Sequence, residues 1–173
     1  MHEIKGSSFV LRPYQDDDAE SVRDVLDDIT VWGNLGHSMP HPYTIENARA
    51  WIAKSREAGE NALSWSICID GTSAGGVNFR PAPLWSPHTY ELGYWLSERY
   101  RGRGIATEVV ALLTKHAMDQ LNAERMQAFV YSWNPASCRV LEKNGYTLEG
   151  RLRRAVFKDG RWGDALAYGR LRL

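Results

Sequence analysis

An arginine- and glycine-rich turn, placed between an apolar strand and a helix, is the part of this chain best suited to chemistry. The turn contains Arg101, Gly102, Arg103 and Gly104, and it follows the apolar segment Thr89–Leu96. Glycines let the main chain approach an anion closely, and the N–H groups of a helix N-terminus attract negative charge. The arginines add side chains that make bidentate contacts with phosphate oxygens. The turn therefore predicts a binding site for a phosphate-bearing ligand.

The elements that must position this turn follow from the spacing of apolar and polar residues. Seven strands are predicted, at about Phe9–Pro13, Ala62–Ile69, Ala74–Phe79, Thr89–Leu96, Met126–Tyr131, Thr147–Val156 and Trp162–Leu171. Four helices are predicted, at about Asp16–Ile29, Thr44–Arg56, Ile105–Leu121 and Asn134–Gly145, with a loop over Val31–Tyr43. This order predicts an α/β (α+β) domain, in which helices pack on a mixed sheet.

Length and composition are those of one globular domain. The chain has 173 residues, of which 43% are hydrophobic and 24% are charged, and this length suits a single core. The first residues lack an apolar leader, and the longest aliphatic run, Val109–Leu113, is too short to cross a bilayer. Cys68 and Cys138 are the only cysteines, so no disulfide framework is expected. We therefore expect a cytoplasmic protein without a membrane partner.

Charge is balanced overall but unevenly distributed. Residues 1–60 carry 11 acidic and 6 basic side chains, whereas residues 99–173 carry 7 acidic and 14 basic ones. The basic part contains the glycine turn, as a polyanionic ligand favours. Chance placement of charges on solvated faces explains the asymmetry equally well. Because the net charge is zero, no nucleic-acid partner is expected.

Other phosphate and metal motifs fit this sequence less well. The dinucleotide-binding fingerprint needs a third glycine where Thr107 stands, although Glu124 matches its acidic residue about 20 positions further on. A Walker-type loop is excluded, because no Gly-Lys-Ser/Thr sequence occurs. His37 and His41 are four residues apart but lie in a proline-containing loop, so helical ligand geometry does not apply and no metal is expected.

Two motifs together resemble those of a known family. Arg101–Ala106 resembles the R/Q-x-x-G-x-G/A pyrophosphate loop of the GNAT superfamily of acetyl-CoA-dependent N-acetyltransferases, with altered spacing and with alanine in place of the last glycine. Asn134–Tyr146 resembles the N-x-x-S/A…E-K-x-G-F/Y block of the same superfamily. With Glu91–Leu96 before them, these motifs are similar to the branch that acetylates ribosomal-protein N-termini.

The resemblance covers about positions 9–173 and implies one domain over that range with the GNAT acyl-CoA N-acyltransferase fold. This fold has a mixed, mostly antiparallel sheet of about seven strands, splayed at the middle, and about four helices. The implied cosubstrate is acetyl-CoA. The residues implied to bind it are Trp95, Leu96, Arg101, Gly102, Arg103, Gly104, Ile105, Ala106, Thr107 and Asn134.

The resemblance also implies catalytic roles for three residues. Many members carry a tyrosine general acid seven residues after the motif asparagine, but Leu141 stands there in this chain. Ser137 is the implied proton donor to the leaving thiolate, although it equally fits a role in the first helical turn. Glu91 is the implied proton acceptor, and a solvent-facing strand carboxylate is the alternative. Asn134 is implied to cap its helix and to contact the cosubstrate.

The expected function is therefore transfer of an acetyl group from acetyl-CoA to a primary amine by direct attack. The acceptor is a protein N-terminus or a small-molecule amine, and the protein is a monomer or a homodimer. The alternative is a GNAT-fold module that binds acyl-CoA without turnover, which the loss of the tyrosine at Leu141 supports. For Cys138 beside Ser137, a packed thiol is expected instead of a nucleophile.

Overall fold

The computed structural model describes residues 2–57, 63–82 and 86–172, which contain eight strands and five α-helices. The strands are β1 (Ile4–Lys5), β2 (Val10–Arg12), β3 (Ser64–Ile69), β4 (Thr72–Pro81), β5 (Thr89–Leu96), β6 (Arg125–Tyr131), β7 (Thr147–Lys158) and β8 (Arg161–Leu171). The helices are α1 (Ala19–Asp27), α2 (Ile29–Trp32), α3 (Ile45–Glu57), α4 (Ile105–Gln120) and α5 (Pro135–Lys143). The predicted strand start at Ala62 lies outside the described residues.

The described strands form a mixed, mostly antiparallel sheet in the order β1-β2-β3-β4-β5-β6-β8-β7. Strand β5 pairs in parallel with β6, where Thr89 lies opposite Arg125. The pairings β1–β2, β2–β3, β3–β4, β6–β8 and β7–β8 are antiparallel. The predicted sheet type is therefore confirmed, while a splay at its middle stays a prediction. Among the described helices, none is long and apolar enough to cross a membrane.

The chain groups into two compact units, positions 1–78 with 94–105 (unit 1) and positions 79–93 with 106–173 (unit 2). In unit 1 the helices α1 and α3 pack on each other through a cluster of buried side chains. Val22, Leu26 and Ile52 in this cluster are at most 1% exposed, so apolar burial is the main stabilising contribution here. That the whole range 9–173 acts as one domain stays a prediction.

The sequence interpretation was wrong where one long helix was expected to reach Ile29. Helix α1 ends at Asp27, and Asp28 adopts an extended conformation with ψ of 120°. Its carboxylate accepts a hydrogen bond from Thr30 N at 2.7 Å, so Asp28 caps the new helix α2. Helix α2 starts before the predicted loop over Val31–Tyr43 and takes up its first residues. Neither the four-residue α2 nor the two-residue β1 is long enough to show a period.

In unit 2 the helix α4 contributes Val109, Val110 and Leu113, each 0% exposed, to the core. Across the three last strands, Arg125 on β6 binds Glu149 on β7 with bonds of 2.8 and 2.5 Å. The path between them crosses Gly169 on β8, where a Cβ would lie 2.3 Å from a Glu149 oxygen. These contacts stabilise the β6–β8–β7 part of the sheet. Helix α5 lies in the chain between β6 and β7.

Candidate active site

Both glycines of the arginine-rich turn adopt the left-handed conformation, with φ of +75° at Gly102 and +79° at Gly104. A Cβ at either position would meet no atom within 4 Å. Glycine is therefore needed here for its backbone angle, and the space above the turn is open. Helix α4 begins directly afterwards at Ile105. The N–H groups of its first turn, which have no partner within the helix, therefore point back toward the glycine turn. This geometry fits an anion.

The turn's arginines are held by contacts within unit 1. Arg101 Nε donates to the carbonyl of Leu96 at 3.3 Å, which leaves the terminal nitrogens of the guanidinium for other contacts. Arg99 and Arg103 stack on the ring of Tyr100, with 5.4 and 5.6 Å from each guanidinium carbon to the ring centroid. Tyr100 is a residue that sequence reasoning missed, and its only signal is its position between these arginines.

The predicted cosubstrate residues Trp95 and Leu96 end strand β5 in unit 1, next to the glycine pair of β4. A Cβ at Gly75 would lie 2.4 Å from the Trp95 carbonyl, and a Cβ at Gly76 would lie 2.7 Å from the Trp95 indole. Only glycine allows the two strands to approach this closely. The Ser97 N–H then donates to the Ala74 carbonyl at 2.9 Å. This part of β5 is therefore fixed on one side by β4.

The first turn of α4 in unit 2 is tied to α5 by a side chain that sequence reasoning left without a role. Asn144 Nδ2 donates to the carbonyl of Thr107 at 3.1 Å and to the carbonyl of Val140 at 2.8 Å. Arg170 Nη1 in turn donates to the Asn144 carbonyl at 2.5 Å. Asn144 is 8% exposed, so these bonds are sheltered from water. Asn144 therefore holds the main chain at Thr107, a half-buried residue among those predicted to bind the cosubstrate.

Helix α5 begins and ends as predicted. Asn134 Oδ1 accepts a hydrogen bond from Ser137 N at 3.2 Å, and Pro135 occupies the first helical position. At the other end Gly145 has φ of +73°, and Tyr146 N donates to the Leu141 carbonyl at 3.1 Å, which is a Schellman motif. The capping role of Asn134 is confirmed. Ser137 lies in the first turn, as both of its interpretations require.

Leu141 and Cys138 face the interior side of α5. Leu141 is 0% exposed, so the position that carries a tyrosine acid in many GNAT proteins belongs to the core here. Tyr168 of β8 donates to Glu142 Oε1 at 2.9 Å. Burial, with Cys138 and Glu142 nearby, raises the pKa of Tyr168 well above its ordinary value. Cys138 is therefore a half-buried neighbour of a protonated phenol, as expected of a packed thiol.

The predicted proton acceptor Glu91 lies on β5 in unit 2 and is paired. Its Oε1 accepts a hydrogen bond from Arg80 on the neighbouring strand β4. The Glu91 side chain is 18% exposed and that of Arg80 is 68% exposed. The Glu91 carboxylate is therefore partly buried and ion-paired, and its two interpretations, proton acceptor or solvent-facing strand carboxylate, both stay predictions. Sequence reasoning missed Arg80, because the register between the two strands decides which side chain lies opposite Glu91.

The structure therefore places the predicted residues in two groups. Unit 1 contains Trp95, Leu96 and the turn from Arg101 to Ile105, while unit 2 contains Glu91, Ala106, Thr107, Asn134 and Ser137. Each group is held by the contacts described above. The first group can bind an anion, and the second group contains a carboxylate, a hydroxyl and an amide that can move or hold protons.

Comparison with known proteins gives a consistent result. A family model described as an acetyltransferase (GNAT) domain matches residues 8–147. The Bacillus subtilis protein named Probable N-acetyltransferase YjcK is 30% identical over 172 residues, covering 93% of this chain and 92% of that protein. The ribosomal-protein-serine acetyltransferase of Escherichia coli is 34% identical over 83 residues, covering 48% of this chain and 46% of that protein.

A solved structure supports the fold. It is described as RimL, a ribosomal L7/L12 alpha-N-protein acetyltransferase in complex with coenzyme A. Its TM-score is 0.84 at 22% identity, covering 98% of each chain. At that identity the likeness concerns the fold alone. The match of about half of this chain to the E. coli ribosomal-protein-serine acetyltransferase agrees with the similarity to the ribosomal-protein branch that the motifs predicted.

The mixed sheet, the glycine turn before α4 and the capped helix α5 are the features that the resemblance to acetyltransferases predicted. The family model spans most of the chain, and the chain therefore belongs to the GNAT acetyltransferase family. As a member of this family it is an acyltransferase that uses acetyl-CoA as its cosubstrate. The open space above Gly102 and Gly104 and the exposed guanidinium groups fit the diphosphate of this cosubstrate.

Proposed function

We propose that the protein is a cytoplasmic N-acetyltransferase that moves an acetyl group from acetyl-CoA to a primary amine, on a protein N-terminus or a small molecule. The observation that carries this proposal is the pair of left-handed glycines at the start of α4. Such a turn presents main-chain N–H groups and two arginines to the diphosphate. Acetyl-CoA supplies the thioester, and the chain's own residues bind, orient and move protons.

In the proposed reaction the neutral amine attacks the thioester carbonyl carbon directly. A C–N bond forms and the C–S bond breaks, so one proton must leave the amine and one must reach the thiolate. Glu91 takes the amine proton, directly or through water. Ser137, in the first turn of α5, gives its hydroxyl proton to the thiolate and regains a proton from water, while Glu91 releases its proton to water. Main-chain groups at Trp95 and Leu96 pair with the pantetheine amides, as a peptide pairs with a sheet edge.

The free energy needed to deprotonate the acceptor's ammonium group differs between acceptors and therefore favours some of them. An α-amine with a pKa of about 8 needs roughly 1 kcal/mol to lose its proton at pH 7, whereas a lysine needs roughly 4–5 kcal/mol. A carboxylate already engaged by Arg80 is suited to the easier of these tasks. We therefore expect N-terminal and other low-pKa amines to be better acceptors than lysine side chains.

The experiment is an acceptor screen with mass spectrometry of the products and a thiol assay for released CoA. Ser137→Ala is expected to lower turnover while leaving the affinity for CoA nearly unchanged. Ser132→Ala is the matched control, because the Ser132 hydroxyl accepts from a main-chain N–H of β8 at 3.4 Å. Equal rates for wild type and Ser137→Ala would remove Ser137 from the mechanism.

Glu91→Gln is tested against Glu149→Gln, since each glutamate lies on a strand and is paired with an arginine of another strand of the sheet. Only the Glu91 variant should lose turnover. A binding module without turnover is the second candidate, favoured by the complete burial of Leu141. The binding module is supported if acetyl-CoA raises the melting temperature of the protein while no amine in the panel causes release of CoA.

A further inference from the structure

The strand β7 contains a bulge that brings arginines together. The pairing of β7 with β8 shifts between Leu152 and Val156, so that the range Arg153–Ala155 lies opposite the single residue Asp164. Within this range Arg154 has φ of +50°, an angle that is unfavourable for an arginine. Such strain persists only where surrounding contacts hold the backbone.

Asp164 of β8 supplies these contacts in unit 2. Its Oδ1 accepts a hydrogen bond from Arg154 N at 2.8 Å, and its Oδ2 accepts one from Arg151 Nε at 2.5 Å. These two bonds lower the pKa of Asp164 below its ordinary value, so the carboxylate is charged at neutral pH. Ser132 N of β6 also donates to the Asp164 carbonyl at 2.9 Å. The bulge is therefore fixed by both neighbouring segments.

Basic side chains dominate this part of the hairpin formed by β7 and β8. Positions 150–163 carry five basic side chains and one acidic one. Four of the basic residues are exposed and are called the arginine cluster below: Arg151, Arg153, Arg154 and Arg161. Asp164 balances one of these charges through its ion pair with Arg151. The remaining positive charge favours an anionic partner.

Aromatic rings lie beneath two of these guanidinium groups. The guanidinium carbon of Arg154 is 5.4 Å from the ring centroid of Trp162, and that of Arg161 is 4.4 Å from the ring centroid of Trp133. Phe157 contacts Trp162 with centroids 4.9 Å apart, and these two rings are 48% and 56% exposed. A guanidinium stacked on a ring still presents its N–H groups sideways, where they can bind a carboxylate with two hydrogen bonds.

Protection of the sheet edge explains the charges of this surface but not its aromatic rings. β7 is the last strand in the order of the described sheet, and charged side chains and bulges on such a strand prevent pairing with other chains. Exposed rings at Phe157 and Trp162 have the opposite effect, because they favour contact with apolar groups. Tryptophan and arginine together are typical of the residues that dominate binding energy in protein interfaces.

The size of the charged surface distinguishes carboxylates from nucleic-acid phosphates. The arginine cluster is confined to positions 151–161, and the whole chain has a net charge of zero. A nucleic acid needs a basic surface that continues along its backbone. A few carboxylates of a protein segment need only the arginines that are present, and the ring pair Phe157–Trp162 adds a place for one apolar side chain.

We propose that the arginine cluster, with Phe157 and Trp162, is a docking surface for an acidic segment of a partner protein. The carboxylates of that segment bind the guanidinium groups, and an apolar side chain between them packs on the ring pair. This binding goes beyond acetyl transfer, because it needs neither acetyl-CoA nor turnover.

The test measures binding directly by fluorescence anisotropy without acetyl-CoA. The acidic probe is a short peptide of glutamates around one leucine, with an acetylated N-terminus and a neutral fluorophore at its C-terminus. The neutral probe has glutamine in place of each glutamate. The acidic probe should bind the wild type, and its Kd should rise at least tenfold when NaCl is raised from about 0.02 M to about 0.5 M. The neutral probe should not bind.

Removing two charges of the arginine cluster should weaken this binding. Arg153→Gln combined with Arg154→Gln should raise the Kd of the acidic probe at least tenfold, because charge-assisted hydrogen bonds to carboxylates are lost. The matched control is Arg139→Gln combined with Arg172→Gln, which removes the same charge from exposed arginines of unit 2 outside the cluster. Its Kd should equal that of the wild type. Trp162→Ala keeps every arginine of the cluster and should also weaken binding.

Four results would overturn the docking surface. These are equal binding of the two probes, equal Kd values for the cluster and control variants, tighter binding of a single-stranded oligothymidylate than of the acidic probe, and self-association in sedimentation that the cluster variant abolishes. If the variant at Arg154 does not fold, Arg161→Gln carries the measurement, with Arg172→Gln as its control. Because the probes cannot be acetylated, a failed acetyltransferase assay leaves this test unaffected.

Discussion

Replacing Gly104 by alanine tests the anion-binding turn most directly. The φ angle at this position is +79°, and the added Cβ would meet no atom within 4 Å. No steric clash contributes, so the whole cost comes from holding an L-residue in the left-handed region, about 1–2 kcal/mol. The turn can escape this strain by leaving the left-handed conformation, in which case its N–H groups no longer point at the diphosphate. The dissociation constant for CoA should then rise by about 5- to 30-fold.

Gly71→Ala is the matched control, because it introduces almost the same backbone strain at a position outside the candidate site. Gly71 lies in the turn between β3 and β4, its φ is +80°, and its added Cβ also meets nothing within 4 Å. Urea denaturation should give the same loss of unfolding free energy for both variants. Titration calorimetry with CoA should show weaker binding for the Gly104 variant alone.

Acetyl-pantetheine, which lacks the diphosphate, completes the assay. Its kcat/KM should be the same in the wild type and in Gly104→Ala, because no phosphate is bound in that reaction. The reasoning is refuted if both alanine variants lose CoA affinity equally, or if acetyl-pantetheine and acetyl-CoA are affected to the same degree.

Three further predictions concern the same elements. Arg101→Ala combined with Arg103→Ala should weaken CoA binding by at least tenfold in calorimetry, because charge-assisted bonds to phosphate are lost; unchanged affinity would exclude their phosphate role. Asn144→Ala should lower the free energy of unfolding in urea by about 1–3 kcal/mol, since two carbonyls lose their donor; a neutral effect would show that water replaces the side chain. The Arg125 guanidinium lowers the pKa of Glu149 below 4.5, so Glu149→Gln should destabilise the protein at pH 7. This difference should disappear as the pH falls below 4.5, through the pKa of the folded state, because the wild-type carboxylate then also becomes neutral.

Features set by local backbone requirements could be predicted from the sequence. The caps of α5 at Asn134 and Gly145 lie where the sequence predicts them, because a side-chain oxygen and a left-handed glycine satisfy helix ends in any context. The turns at Asp70–Gly71 and Asp159–Gly160 have positive φ at both residues, as Asp-Gly sequences favour. The left-handed glycines of the turn before α4 belong to the same class of local signal.

Features that depend on register or on short segments could not be predicted. The partner of Glu91 is Arg80, which depends on how two strands align. The break at Asp28 divides an otherwise continuous apolar period, since a single cap outweighs the pattern. Asn144 connects α5 to α4 through a hydrogen bond to the Thr107 carbonyl, 37 residues away in the chain, and no spacing along the chain reveals this contact. The catalytic roles of Ser137 and Glu91 stay predictions.

The complete enclosure of Leu141 limits how this lineage can change its proton chemistry. A phenol at that position would have to fit a larger ring and a hydroxyl into space that is already filled, at a penalty of about 1–3 kcal/mol. A tyrosine installed at this position alone would therefore be sterically crowded. Smaller side chains behind α5 would have to accompany it, so a phenolic acid can be added here only together with changes in the core.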